Sequence, residues 1–155
     1  MTAAIVDPAS ALRLRRLLGY AGLLPFVGCL AVMLLAGSQA WQDEAAIQLL
    51  YYAALIASFL GAIHWGMALR GETQLQTARL VWGVTPALMA WPLLSLPPSI
   101  AFTGLAALFT FILLVDCYLL PLLDDDYRRL RLRLSILVIV CLLTAALIHP
   151  GAGAL

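Results

Sequence analysis

The sequence predicts an all-α polytopic integral membrane protein: one domain, residues 1–155, folded as a bundle of five transmembrane helices. Three observations predict it. The chain is 64% hydrophobic and only 11% charged, with a mean hydropathy of +1.00. A soluble domain is about 45–50% apolar and about 25% charged. A chain of 155 residues has no soluble core large enough for that surplus, so the bilayer is its natural solvent.

The second observation is five apolar runs, at about 17–36, 45–69, 79–96, 99–120 and 132–148. Each has the length of about 17–25 residues that crosses some 30 Å of hydrocarbon. The third is the placement of arginine, which supplies all nine basic residues. Arg13, Arg15 and Arg16 precede span one. Arg70 and Arg79 border the loop between spans two and three. Arg128, Arg129, Arg131 and Arg133 precede span five, and the other exposed segments carry none. By the positive-inside rule the N-terminus is cytoplasmic and the C-terminus outside; in a mitochondrion the matrix takes the cytoplasmic role.

Asp7-Pro8 reads as a helix start, with Asp7 as N-cap and Pro8 in the first turn. The helix runs through the arginines into span one, where Pro25 is expected to kink it. The basic start and Ser38-Gln39-Ala40 also resemble a signal peptide with its cleavage site. The apolar run exceeds the usual core of about 7–15 residues, which favours a retained span.

Residues 38–44 read as a polar loop, with Asp43 and Glu44 meeting the positive end of the next helix dipole. Arg70-Gly71 reads as the stop of span two. Span three holds Pro86 and Pro92. Each removes a helical hydrogen bond and frees the carbonyl four residues back, so span three is expected to be short, bent and inside the bundle. Ser99 reads as the cap of span four and Pro121 as its end. The acidic triplet 124–126 reads as the cap of the fifth helix, and His149-Pro150-Gly151 as its stop. Trp41 and Trp82, near span ends, fit interfacial anchors.

Span two carries small residues at four-residue spacing. Ala53, Ala57 and Gly61 form one line; Ala54, Ser58, Ala62 and Gly66 form the next. Small residues let membrane helices approach closely, so this is read as the central helix. His64 falls on the same side and should face protein.

Asp116 is the one acidic residue well inside a span, and an ionisable group in the bilayer usually faces the bundle and finds a partner. It lies about 12 Å along the helix from Asp124, and His64 about 9 Å from Arg70. Both spans run in the same direction, so the two residues share the inner half and can meet. Tyr20, Trp82, Thr85, Arg131 and Arg133 fall in the same layer. The functional reading is a polar site for protons or a ligand. The structural reading, an ion pair or hydrogen bond that pins the helices, is preferred.

No catalytic residue is identified. There is no phosphate loop, no nucleophile elbow and no pair of catalytic carboxylates. No cofactor is expected: His149 lies at the opposite face from His64, so one chain cannot supply a bis-histidine haem site. One histidine with one aspartate gives too few ligands for a metal. Cys29, Cys117 and Cys141 sit in apolar runs without metal spacing and read as free buried thiols. The net charge of +1 gives no ground for a nucleic-acid partner. The run YRRLRLRL could bind anionic headgroups as a surface segment, but a topology signal is preferred.

The stretches GYAGLLPF (19–26), SFLGAIHWGMAL (58–69), VWGVTPALMAWPL (81–93), FILLVDCYL (111–119) and YRRLRLRLSILVI (127–139) together resemble the transmembrane-protein-sixty-nine-like family. These are small integral membrane proteins of unknown function. The resemblance covers about 17–148, and His64-Trp65-Gly66 is its most specific piece. It implies the bacterial inner membrane, or the mitochondrial inner membrane in a eukaryote, and brings no activity.

Three functions remain open. The first is a non-enzymatic accessory or assembly factor, with the bilayer and other membrane subunits, or itself, as partners. The second is a proton- or solute-handling protein using His64 and Asp116. The third is a membrane enzyme acting on a lipid or quinone-like substrate.

Overall fold

The computed structural model describes residues 7–69, 75–119 and 125–149, and among them every regular element is helical. The helices are α1 (Pro8–Ala21), α2 (Leu24–Leu35), α3 (Gln39–Ala68), α4 (Gln76–Leu93), α5 (Pro98–Leu114) and α6 (Asp125–Ile148). A π-helical turn, Val115–Leu119, continues α5. Arg70, Gly71, Pro121, Asp124, Pro150 and Gly151 lie outside the described residues.

Span one is interrupted near Pro25, as expected, and the chain forms two successive helices there. The break falls at Gly22-Leu23, with Pro25 in the first turn of α2. Proline has no N–H to continue the ladder. At the break the Tyr52 hydroxyl donates to the Gly22 carbonyl at 3.0 Å, so α3 covers a polar group that lipid could not. The Tyr52 ring packs on Phe26, centroids 5.1 Å apart.

Helix α3 is the centre of the bundle, in contact with α2, α4 and α5. Its start differs from the expected loop: the chain is helical from Gln39. Gln39 donates to Asp43 at 2.8 Å and Gln48 to Glu44 at 2.7 Å. These i,i+4 bonds stabilise the polar first turns of the helix. Asp43 also lies 3.6 Å from His149 at the end of α6, which ties the two helix ends together.

Of the two small-residue lines, Ala53, Ala57 and Gly61 are buried, as is Ala54, while Ser58 is half-buried. Ala62 and Gly66 are exposed, so within this chain they lie outside the packed face of α3. Each residue advances about 100° round a helix, which puts Ala62 about 180° from Ala53. A line at four-residue spacing drifts off a straight helix face.

Helix α4 lies at the edge of the bundle, not inside it. It buries Arg79, Trp82, Gly83, Pro86 and Ala90 and exposes Val81, Leu88 and Trp91. Gly61 of α3 faces the Gly83 carbonyl and the Pro86 ring closely; a Cβ at Gly61 would stand 2.7 Å from that carbonyl. At Gly83 a Cβ would overlap the Trp65 indole, whose N–H donates to the Leu80 carbonyl at 2.7 Å. Small residues and proline-shaped backbone thus set the α3–α4 crossing. Trp82 is buried rather than an interfacial anchor. It lies on the inward face of α4 and meets Phe111 edge-on at 5.3 Å. Trp41 is exposed.

Pro97, not Ser99, precedes α5, with Pro98 in its first turn. Proline's fixed φ suits that place. The α5 face that carries Phe102, Leu105, Phe109 and Ile112 is fully buried against α3 and α6.

Four described stretches are long and apolar enough to cross a membrane: Ala9–Leu35, Gln39–Ala68, Pro98–Tyr118 and Asp125–Ile148. Helix α4 is not one of them, because Gln76, Arg79 and the two prolines lower its apolar content. Cys29, Cys117 and Cys141 are free and half-buried rather than fully buried.

Candidate functional site: a buried His–Asp–Arg cluster

Three helices bring their ionisable groups to one point. His64 stands on the inward face of α3, seven residues beyond Ala57. Asp116 sits in the π-helical turn after α5. The π-turn widens the backbone ring and re-aims its side chains, a feature common at functional positions. Arg131 lies in the second turn of α6, on the buried line with Leu130, Ser135 and Val138.

Asp116 is the hub. Its Oδ1 lies 2.7 Å from His64 Nε2. Its Oδ2 accepts from Arg131 Nε at 2.8 Å, and from Nη2 as well. Exposure is 0% for His64, 1% for Asp116 and 4% for Arg131. A carboxylate at Asp116 accepts from both neighbours, so His64 carries a proton on Nε2. With neutral His64 the cluster has no net charge, the form that a low-dielectric interior tolerates best.

The cluster is not fully satisfied from within. His64 Nδ1 and Arg131 Nη1 are buried with no hydrogen-bond partner among the described residues, and so is Trp82 Nε1. Arg79 is also buried, and its Nη1 donates to Met67 Sδ at 3.0 Å.

Of the layer read from the sequence, His64, Asp116 and Arg131 meet. Tyr20 is exposed and Arg133 is exposed. Thr85 turns back on its own helix and donates to the Val81 carbonyl at 2.8 Å. Trp82 is buried but its ring contact is Phe111. The sequence reading missed Ser135, buried one turn beyond Arg131, and the bond by which Trp65 of α3 reaches the Leu80 carbonyl of α4. It also missed the π-turn. The four-residue spacing of Arg131 and Ser135 on one helix face was the available signal. No group of three or more His, Cys, Asp or Glu that could hold a metal occurs among the described residues.

Beside the cluster, a cavity of about 340 Å³ lies among α1, α2, α3, α5 and α6. Its wall is apolar except near Arg131, Ser135, Arg15 and Tyr127.

The fold and this cluster define a multi-pass α-helical membrane protein with an ion pair and a histidine sealed in its interior. The chain belongs to the family described as "Protein of unknown function (DUF3429)", whose model matches residues 12–147. It is similar to a protein called "Transmembrane protein 69" from Xenopus tropicalis, at 30% identity over 129 residues. That match covers 81% of this chain and 50% of the relative, so the chain spans about half the length of that curated relative. The family resemblance read from the motifs is thereby borne out. No solved structure matches the chain.

Proposed function

We propose that this protein is a non-enzymatic accessory or assembly component of a larger membrane complex, in the bacterial inner membrane or its mitochondrial counterpart. It crosses the membrane five times, α4 being the weakest crossing, with the N-terminus on the cytoplasmic side. At 18 residues α4 is about 27 Å long, close to the hydrocarbon thickness. The arginine alternation supports the orientation.

One observation carries the accessory reading. Asp116 is bonded to both His64 and Arg131, and all three are enclosed, at exposures of a few per cent. A proton path or a substrate site needs its ionisable groups presented to water or substrate, whereas a cross-helix tie needs them enclosed. The test is the native mass of the tagged full chain in mild detergent, with bound subunits identified. Foreign membrane subunits at fixed stoichiometry support the reading; a lone chain or homo-oligomer overturns it.

A second reading, proton or ligand handling, is favoured by the unpartnered His64 Nδ1 and Arg131 Nη1. Under it His64→Ala and Asp116→Asn abolish function at normal protein level. Under the accessory reading they lower protein level or complex yield.

A further inference from the structure

The cavity beside the cluster has three properties that together select a ligand. It lies within the range of about 300–1,000 Å³ typical of small-molecule sites, at about 340 Å³. Its length along α6, from Tyr127 to Val138, is about 16 Å. Its charged groups gather at one end: Arg15 and Arg131, with Tyr127, lie toward the arginine-bearing ends of α1 and α6, Ser135 follows one turn beyond Arg131, and Phe26, Phe109 and Val138 line the far part. The Arg15 guanidinium lies over the Tyr127 ring, 5.5 Å from its centroid.

Arg131 supplies the second, independent mark. It is nine-tenths buried and lines the cavity, yet only its Nε and Nη2 are used on Asp116; Nη1 is enclosed without a partner among the described residues, and a turn of the guanidinium toward the cavity would bring it to an acceptor there. A buried guanidinium donor without an acceptor is costly, and a charged oxygen acceptor is the group that best relieves it.

The cavity also opens sideways. Leu18 and Phe59 on its rim are 62% and 63% exposed, in helices that face the bilayer. Gly19 and Gly22 form part of the wall, and a Cβ at Gly19 would stand 3.1 Å from Leu134 Cδ1. A larger residue at Gly19 would narrow the space.

We infer that this cavity is a binding site for an anionic glycerophospholipid of the arginine-bearing leaflet. One acyl chain lies in the apolar part and the phosphate stands at the Arg131 end. The volume admits one chain, so the second stays in the bilayer beside Leu18 and Phe59. The lateral opening favours a resident bilayer lipid over a water-borne anion. This inference needs only the membrane-embedded fold and stands apart from the accessory reading.

The experiment places the full chain in phosphatidylcholine nanodiscs doped with phosphatidylglycerol bearing a photoreactive acyl chain. Phosphatidylcholine with the same chain serves as control, and cross-linked peptides are mapped by mass spectrometry. The anionic probe should label α1 and α6 around Leu18, Gly19 and Leu134 about fivefold more than the control, the ratio given by about 1 kcal/mol for the one net positive charge left at that end once Asp116 is counted against Arg131. Gly19→Val and, separately, Leu134→Trp should remove that excess while labelling elsewhere persists. Equal labelling by both probes, or an excess untouched by both variants, overturns the proposal. So does full displacement of the probe by equimolar oleate, which would make the occupant a free fatty acid.

Discussion

Asp116 joins His64 and Arg131 through opposite oxygens of one carboxylate: Oδ1 lies 2.7 Å from His64 Nε2, and Oδ2 accepts from Arg131 Nε at 2.8 Å. The carboxylate stands in a π-turn, so a local irregularity of α5 turns one acid toward two other helices. In a bilayer the unfolded alternative leaves each charge in hydrocarbon or at its edge. The cluster therefore specifies which helices meet and at what depth.

The two halves of the cluster should differ in weight. His64→Ala leaves Asp116 Oδ1 short of one donor but keeps the ion pair, at an expected cost of about 1–3 kcal/mol. Thermal unfolding of the purified variant, followed by tryptophan fluorescence, reads this loss. A melting temperature equal to that of the wild type would show that the His64 bond carries no stability.

Trp65 and Gly83 give a packing prediction. Gly83→Ala puts a methyl where the Trp65 indole lies and should break its bond to the Leu80 carbonyl. Overpacking of this kind costs about 1–3 kcal/mol. Gly66→Ala, with nothing within 4 Å of the added atom, is the matched control and should change neither stability nor tryptophan emission. Equal effects of the two would contradict the α3–α4 crossing.

Tyr52→Phe removes the hydroxyl that covers the Gly22 carbonyl and leaves the ring on Phe26. Interhelical hydrogen bonds in membranes average about 0.6 kcal/mol, so the loss should be small. Hydrogen exchange at the α1–α2 break should rise more than the melting temperature falls. Exchange unchanged at that break would remove the assigned role of the bond.

The number of crossings is decided by the two termini. If α4 crosses, the ends lie on opposite sides; if α4 does not cross, they lie on the same side. A periplasm-active reporter fused after Leu155 and a cytoplasm-active one at the N-terminus, in a bacterial host, should both give signal. A silent C-terminal fusion in a well-expressed protein would reverse the orientation or remove the α4 crossing.

Much of this architecture was legible because hydrophobic runs and arginine placement report directly on a bilayer. His64 was placed toward protein by its position seven residues after Ala57, and Asp116 by the cost of a lone acid in a span. Their meeting followed from depth alone. Arg133 was indistinguishable from Arg131 in the YRRLRLRL run, since spacing gives each residue's angle on its own helix but not that helix's rotation toward neighbours. Ala62 and Gly66 are exposed for a different reason: a small residue is buried only on the face that meets another helix of the chain. The π-turn has no pattern in hydropathy, and the edge position of α4 depends on which face of α3 was left to it.

The buried charges of Asp116 and Arg131 hold α5 and α6 together. A double-mutant cycle on Asp116 and Arg131 measures this directly, by reversible unfolding in detergent of Asp116→Asn, Arg131→Met and the pair. Either single change strands a buried charge or its donors and should cost about 3–5 kcal/mol. The double change leaves no unpaired ion and should recover a large part of that loss. Strictly additive losses, or single variants as stable as the wild type, would contradict the claim and leave the cluster free for another role.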